Sequence, residues 1–434
     1  MPTRAWSVRI ILMGESLTYL GRIHWRDKRR PFGIHAGDRL AHTYVLGKTG
    51  TGKSSLLEFL ARQDLASTNG LALFDPHGDL VERLHGWSRE QGRTDVVYLN
   101  VPDANQPFSF NPLANVPPLR RSLAAAGLIE ALKKMFSEAW GVRMEHFLRY
   151  ALLLLLDQPS ATIADIPRLF TEPDFRKAAI EHAVHEPVQK FWTAEFPSYP
   201  IRTRMEAVAP VMNKLGAFLA DPFLHRILAS PTSTFNLREL MDERGVLLVN
   251  IAKGRIGEGP AAAFGALLMA SIGIAGLSRS EVPEEQRRPF YVYGDEFQTY
   301  TTLAIANMLA ELRKYGVGMI LANQYLGQVD DEVRSAIMGN VGTLVAFRVG
   351  AEDAAKLAKE FRPEFDPDDL ISLPNRQFCV RMLVRGEFVR PFSGRTIDVA
   401  NACETARYLR PDRSGQFHVR RNGLNEDEGV APLR

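Results

Sequence analysis

Residues Gly47-Lys48-Thr49-Gly50-Thr51-Gly52-Lys53-Ser54 fit the pattern G-x-x-x-x-G-K-[ST], set between the apolar run HTYVLG and a helical stretch that starts near Lys53. Glycines at that spacing let backbone N–H groups turn inward around a polyphosphate, and the following helix adds the positive end of its dipole. In such a loop the lysine reaches the β- and γ-phosphates and the Ser/Thr hydroxyl holds Mg²⁺. Gly47, Lys48, Thr49, Gly50, Thr51, Gly52, Lys53, Ser54 and Ser55 are therefore the expected ATP-binding residues.

A second group of residues could act on what the loop binds. FYVYGDEFQ is an apolar strand ending in two adjacent carboxylates. Because successive strand residues point to opposite faces, Asp295 and Glu296 are expected to have different tasks. Asp295 would contact Mg²⁺ or its waters, and Glu296 would polarise the attacking water. Gln324 follows another strand, GVGMILAN, where an amide could sense the γ-phosphate or orient water; an ordinary turn amide fits as well. Arg313 and Arg348 are candidate transition-state cations, although spacing alone assigns neither, since most arginines are solvated or paired. LFDPHGD places Asp75 and His77 at a strand end where ligands of doubly wound sheets gather, and the same letters read equally as a turn and helix cap. His182 and His185 lack a third ligand, so a solvated face is expected there.

These residues need a scaffold that brings strand ends together. From His42 the order is strand, Gly-rich turn, helix (Lys53 to about Leu65), strand (LALFD), helix (Asp79 to about Trp87) and strand (DVVYL). Such alternation predicts a parallel sheet with helices on its faces. Residues 118–240 show helical spacing and no convincing strand, which predicts an all-α insertion. Strand-like runs resume at GVLLVNIA, RRPFYVYGD, GVGMILAN and GTLVAFRV, and QFCVRMLV with GEFVRPF reads as a terminal hairpin. The expected fold class is α/β, with a mainly parallel sheet. The expected division is a small β-rich region over 1–41, a nucleotide-binding domain over 42–117 and 241–400, the all-α insertion, and a disordered tail over 411–434.

The 434 residues leave room for a large domain with an insertion; 45% are apolar and 24% charged, too apolar a composition for a disordered chain. Fifty-three basic against fifty acidic residues give +3, so anion binding must come from local patches such as RIHWRDKRR. Two cysteines, Cys379 and Cys403, supply neither a disulfide framework nor a zinc ligand set, as in a reducing cytoplasm. Ile10–Met13 is too short for a signal-peptide core, and nothing before Gly47 could span a bilayer. Pro260–Leu277 approaches spanning length, but a single span there would separate Gly47–Ser54 from Asp295 across the membrane, so a core helix is expected.

The succession HTYVLGKTGTGKSS, LALFDPHGDL, FNPL with a helical insertion, VYGDEFQ, LRKYGVGMILANQ and GTLVAFRVGAEDA resembles the HerA/FtsK class of P-loop motors, and most of all the DNA-pumping coupling ATPases of type IV secretion and conjugation. The likeness covers about residues 42–355 in one order. It implies a RecA-like sheet, a hexameric ring with ATP between subunits, DNA in the central channel, and an all-α domain facing the relaxosome or transport substrate. It also implies that Arg313 is a finger donated to the neighbouring subunit and Gln324 the residue of the third motif. Coupling proteins usually carry N-terminal transmembrane helices, which this sequence lacks before Gly47. The expectation is an Mg²⁺-dependent ATPase that translocates DNA, cytoplasmic or peripheral at the inner membrane; the alternatives are an ATP-controlled docking protein and a protein-export ATPase.

Overall fold

The computed structural model describes residues 17–25, 30–103, 105, 108–136 and 140–397. Cys403, the expected disordered tail and residues 26–29 of the basic N-terminal piece lie outside that range.

Among the described residues, twelve strands form one sheet. Seven are parallel: β3 (Thr43–Leu46), β4 (Gly70–Asp75), β5 (Val96–Asn100), β6 (Val246–Asn250), β7 (Phe290–Gly294), β8 (Val317–Asn323) and β9 (Thr343–Ala346), in the spatial order β9-β3-β8-β7-β4-β6-β5. Antiparallel strands extend the sheet beyond β9: β10 (Gln377–Val384), β12 (Phe392–Arg395), β1 (Leu17–Ile23) and β2 (Pro31–His35), with the two-residue β11 (Glu387–Phe388) paired to β10. The terminal hairpin thus takes part in one sheet with the N-terminal strands, which the sequence alone set apart as a small leading region.

The parallel strands read as unbroken apolar runs because both faces are covered. Alternation along each strand sends Tyr44, Leu46, Phe74, Val292 and Leu321 to one face and Val45, Leu73, Tyr293 and Ile320 to the other. Helices Lys53–Ala66 and Asp79–Glu90 cover the second face with Leu56, Leu57, Leu60, Leu80 and Leu84. The first face carries helices Glu258–Ser278, Leu303–Glu311, Asp331–Asn340 and Ala351–Phe361, and its core runs on into the helices between β5 and β6.

Helix Glu258–Ser278 is long and apolar enough to cross a membrane, yet 78% of its most apolar window is buried inside the protein. Its small residues serve close packing: a Cβ on Gly276 would lie 2.7 Å from Leu312 Cδ2, so the turn that carries Arg313 sits directly on this helix. The core-helix expectation fits this arrangement.

Candidate nucleotide site

The C-terminal ends of parallel strands gather the functional side chains, as in other open α/β sheets. After β3 the chain turns through Gly47–Gly52 into helix Lys53–Ala66. A Cβ at Gly47 would stand 2.5 Å from Phe347 Cβ, so only glycine lets the loop pass the end of β9. No side chain caps the helix start at Gly52, which leaves first-turn N–H groups available to an anion. Thr51 Oγ1 donates to the Lys48 carbonyl at 2.7 Å and braces the loop from within.

Lys53 is 5% exposed, and its Nζ donates to the Gly47 carbonyl at 2.6 Å and the Lys48 carbonyl at 3.4 Å. Burial lowers its pKa, opposed by the nearby Glu296 and Asp295 carboxylates. Glu296 Oε1 lies 4.0 Å from Nζ. Ser54 Oγ donates to Asp295 Oδ2 at 2.9 Å. Gln324 Nε2 donates to Glu296 Oε1 at 3.2 Å, and Gln298, which the sequence reading passed over, donates to Oε2 at 2.7 Å. Each Glu296 oxygen is therefore held by a different amide. The only sequence signal for Gln298 is its place two residues after the acidic pair.

The two carboxylates do take different partners, but not through strand alternation. β7 ends at Gly294, and Glu296 adopts a left-handed backbone (φ 43°) that swings it toward Lys53. A non-glycine residue held there costs about 1 kcal/mol or more and is a common mark of functional sites.

Burial pushes the Asp295 carboxyl up to about 6, with Asp75 and Glu296 adding to the rise against the Ser54 hydrogen bond and Lys53. Its folded pKa exceeds the ordinary 3.8, so the linked stabilisation is present at acid pH and lost as pH rises through about 6. Ionised Asp295 therefore destabilises the nucleotide-free fold at neutral pH, by roughly 3 kcal/mol at most. Asp295→Asn should raise the melting temperature at pH 7.5 and change it little at pH 5; a lower melting temperature at pH 7.5 would contradict the burial argument.

Asp75 sits on β4 beside this group, since the Asp295 N–H donates to the Phe74 carbonyl at 3.1 Å. Its oxygens accept from the N–H groups of His77 (2.8 Å), Leu80 (2.8 Å) and Val81 (3.3 Å), which is the turn-and-cap reading of D-P-H-G. The His77 side chain is exposed. Arg348 donates to Asn375 Oδ1 at 2.8 Å and the Leu373 carbonyl at 3.4 Å, and so braces the segment before β10. Arg313 is exposed in a turn (Leu312–Tyr315) at the start of β8, the opposite edge of the sheet from the loop. His182 and His185 are exposed, and no cluster of three or more potential metal-ligating His, Cys, Asp or Glu occurs among the described residues.

A buried polar network fixes the loop's helix to the acidic strand. Asp64, near the helix end and 1% exposed, accepts from Arg39 at 2.6 and 2.8 Å and from the Tyr293 hydroxyl. The Arg39 guanidinium lies 3.6 Å from the Tyr291 ring centre. Ser54 and Asp64 thus tie the same helix to β7 near both of its ends. Beside the loop a cleft of about 560 Å³ is lined by Lys48, Thr49, Gln324, Tyr325 and Gly350–Asp353.

Comparison with known proteins agrees with this layout. The plasmid coupling protein TrwB, in complex with the non-hydrolysable ATP analogue ADPNP, is 16% identical with a TM-score of 0.60, covering 94% of this chain and 92% of that one. TrwB with ADP and Mg²⁺ is 17% identical, TM-score 0.59, covering 89% and 97%. VirB4 of Thermoanaerobacter pseudethanolicus is 16% identical, TM-score 0.58, covering 91% and 99%. At such identities the likeness establishes a shared fold, a RecA-like sheet flanked by helices. No curated protein matches the sequence. The family model for the type IV secretion-system coupling protein DNA-binding domain, however, matches residues 33–362, about three quarters of the chain. The phosphate loop, the acidic strand end and the helical segment between β5 and β6 all fall within that span, and the chain belongs to the type IV secretion coupling-protein family of P-loop proteins.

Proposed function

We propose that this protein hydrolyses ATP with Mg²⁺ and couples the cycle to movement of DNA through a hexameric ring of copies. The observation that carries this reading is the convergence of Lys53, Ser54, Asp295, Glu296 and Gln324 on one phosphate loop in a coupling-protein family member. The nucleotides held by TrwB, ADPNP and ADP with Mg²⁺, support the choice of ligand.

Loop amides and Lys53 grip the triphosphate, with Lys53 Nζ exchanging its carbonyl partners for phosphate oxygens. The Ser54 hydroxyl and the Asp295 carboxylate, 2.9 Å apart, are hard oxygen donors of the kind Mg²⁺ takes, and phosphates and water would complete its shell. Bound there, the ion would neutralise charge on the β- and γ-phosphates. Glu296 takes the proton of the attacking water, held in position by Gln298 and Gln324. Arg313 is donated to the site of the neighbouring copy. In this reading residues 42–117 and 241–400 form the motor and 118–240 the domain that meets the relaxosome or transport substrate. The protein works in the cytoplasm or at the inner membrane's inner surface.

Lys53→Ala should lose nucleotide affinity as well as turnover, measured by titration calorimetry with ADP and by phosphate release. Unimpaired turnover would remove the assignment. DNA should stimulate ATP turnover, and the stimulation should fade with salt as phosphate contacts are lost. No stimulation by any duplex or single strand would favour a docking or protein-export role instead.

A further inference from the structure

The turn that carries Arg313 is held by two arginines that lie outside every motif of the sequence. Residues Leu312–Tyr315 form one short helical turn that ends at Gly316, whose backbone is left-handed (φ 73°). The Gly316 N–H closes the turn on the Arg313 carbonyl at 3.1 Å. The next two carbonyls, of Lys314 and Tyr315, are of the kind that a helix end leaves open. Arg287 Nη1 donates to the Lys314 carbonyl at 2.5 Å, and Arg279 Nη1 donates to the Tyr315 carbonyl at 2.9 Å.

Arg279 is fully buried, and each of its three guanidinium nitrogens is engaged: Nε donates to Asp242 Oδ1 at 3.1 Å and Nη2 to the Arg288 carbonyl at 2.7 Å. It therefore joins the turn to the segment entering β7 and to helix Leu237–Asp242, the last element before β6. Arg287 also donates to the Val282 carbonyl at 2.8 Å, and its guanidinium lies 5.3 Å from the Tyr315 ring centre. A Cβ on Gly316 would stand 3.4 Å from both Arg279 Nη1 and Arg287 Cβ, so the two arginines pack on the same bend.

Water could meet the carbonyls of a surface turn at little cost, whereas a buried guanidinium is costly unless several acceptors surround it. Closing the turn therefore does not call for Arg279. What the arrangement fixes, and water could not, is the direction of the exposed residue in between. Leu312 packs on Gly276 before Arg313, and the two arginines hold the carbonyls after it. A guanidinium delivered to a γ-phosphate needs such placement, because a shift of about 1 Å can cost about 10²-fold in rate. We propose that Arg279 and Arg287 are positioning residues that set Arg313 for delivery to the nucleotide site of a neighbouring copy. This rests on the reading of Arg313 given above and adds the residues through which its turn acts.

Arg287→Ala and Arg279→Lys in the full-length protein should each lower ATP turnover by about tenfold to 10²-fold, while ADP affinity by calorimetry stays at the wild-type value. Mixing copies then separates placement of Arg313 from general damage. Arg287→Ala mixed with Glu296→Gln should turn over faster than either alone, because at some junctions an intact turn meets an intact glutamate. Arg287→Ala mixed with Arg313→Ala should show no such gain, since neither copy supplies a placed arginine. Wild-type turnover in both Arg287→Ala and Arg279→Lys would overturn the proposal, as would ADP binding weakened in step with turnover. No gain with Glu296→Gln, or a gain with Arg313→Ala, would equally overturn it by putting the defect elsewhere than in the delivered arginine. Arg287→Ala leaves Arg279 in place and decides the matter where Arg279→Lys does not fold. Wild-type turnover in Arg313→Ala would remove the parent reading itself; if that variant is inactive, the Arg279 and Arg287 variants decide this inference alone.

Discussion

Glu296→Gln retains ATP and loses turnover by about 10²- to 10⁴-fold, the range a positioned general base contributes. The substitution keeps size and reach: one of the Gln298 and Gln324 amides still finds an acceptor oxygen, and the other must flip to accept from the new NH2 group. What disappears is the ability to take a proton from water. Lys53 keeps its carbonyl partners at Gly47 and Lys48, and the loop stays formed. Single-turnover phosphate release alongside ADPNP binding separates the two properties. Turnover within a few-fold of wild type would show that the proton goes elsewhere.

Arg313→Ala should lower turnover by about 10³- to 10⁵-fold, the range for a guanidinium delivered to a γ-phosphate, with little change in stability. Within one chain this residue cannot serve its own site. β8 is seven residues long, roughly 23 Å of strand, and separates Arg313 from Gln324 at its other end. Only a neighbouring copy could bring it to a phosphate loop. The turn that carries it is anchored without its side chain: Leu312 packs on Gly276, and buried His42 links β3 to the same region through the Leu309 carbonyl at 2.9 Å and the Met319 N–H at 3.0 Å. Burial lowers the His42 pKa to about 4, so this link stays neutral and unchanged across the working pH range. Mixing the two variants gives the decisive measurement. Arg313→Ala and Glu296→Gln copies, each inactive alone, should recover activity together at junctions where an intact arginine meets an intact glutamate. No recovery at ratios shown to co-assemble would exclude the finger.

Much of this was legible from local chemistry. The phosphate loop is a short-range motif: its glycines, lysine and serine are adjacent in sequence, and the flanking apolar strand and helix are set by patterns of period two and 3.6. The seven parallel strands announced themselves as apolar runs because burial on both faces removes the polar alternation that other strands show. The small-residue helix Glu258–Ser278 could be kept from the membrane by a topological argument alone, and its buried contacts agree.

Other features depended on distance in space. Asp295 and Glu296 part company through a left-handed turn after Gly294, which alternation did not foresee because the strand has already ended. Gln298 gained its place from that same turn. Asp75 is occupied with capping amides, a choice between two local readings that only the hydrogen bonds around it resolve. The segment before β10 meets the loop, the Arg376 N–H donating to the Thr51 carbonyl, because β10 continues the sheet past β9.

The sequence by itself determined the phosphate loop, the alternating strands and helices, and the acidic strand end, since each depends on neighbours a few residues away. Tertiary structure alone decided which groups meet past the ends of β3, β7 and β8, and that Arg313 sits at the other end of the sheet from its own loop. Strand order is set by burial of both sheet faces together, a property of the whole chain that no local spacing encodes.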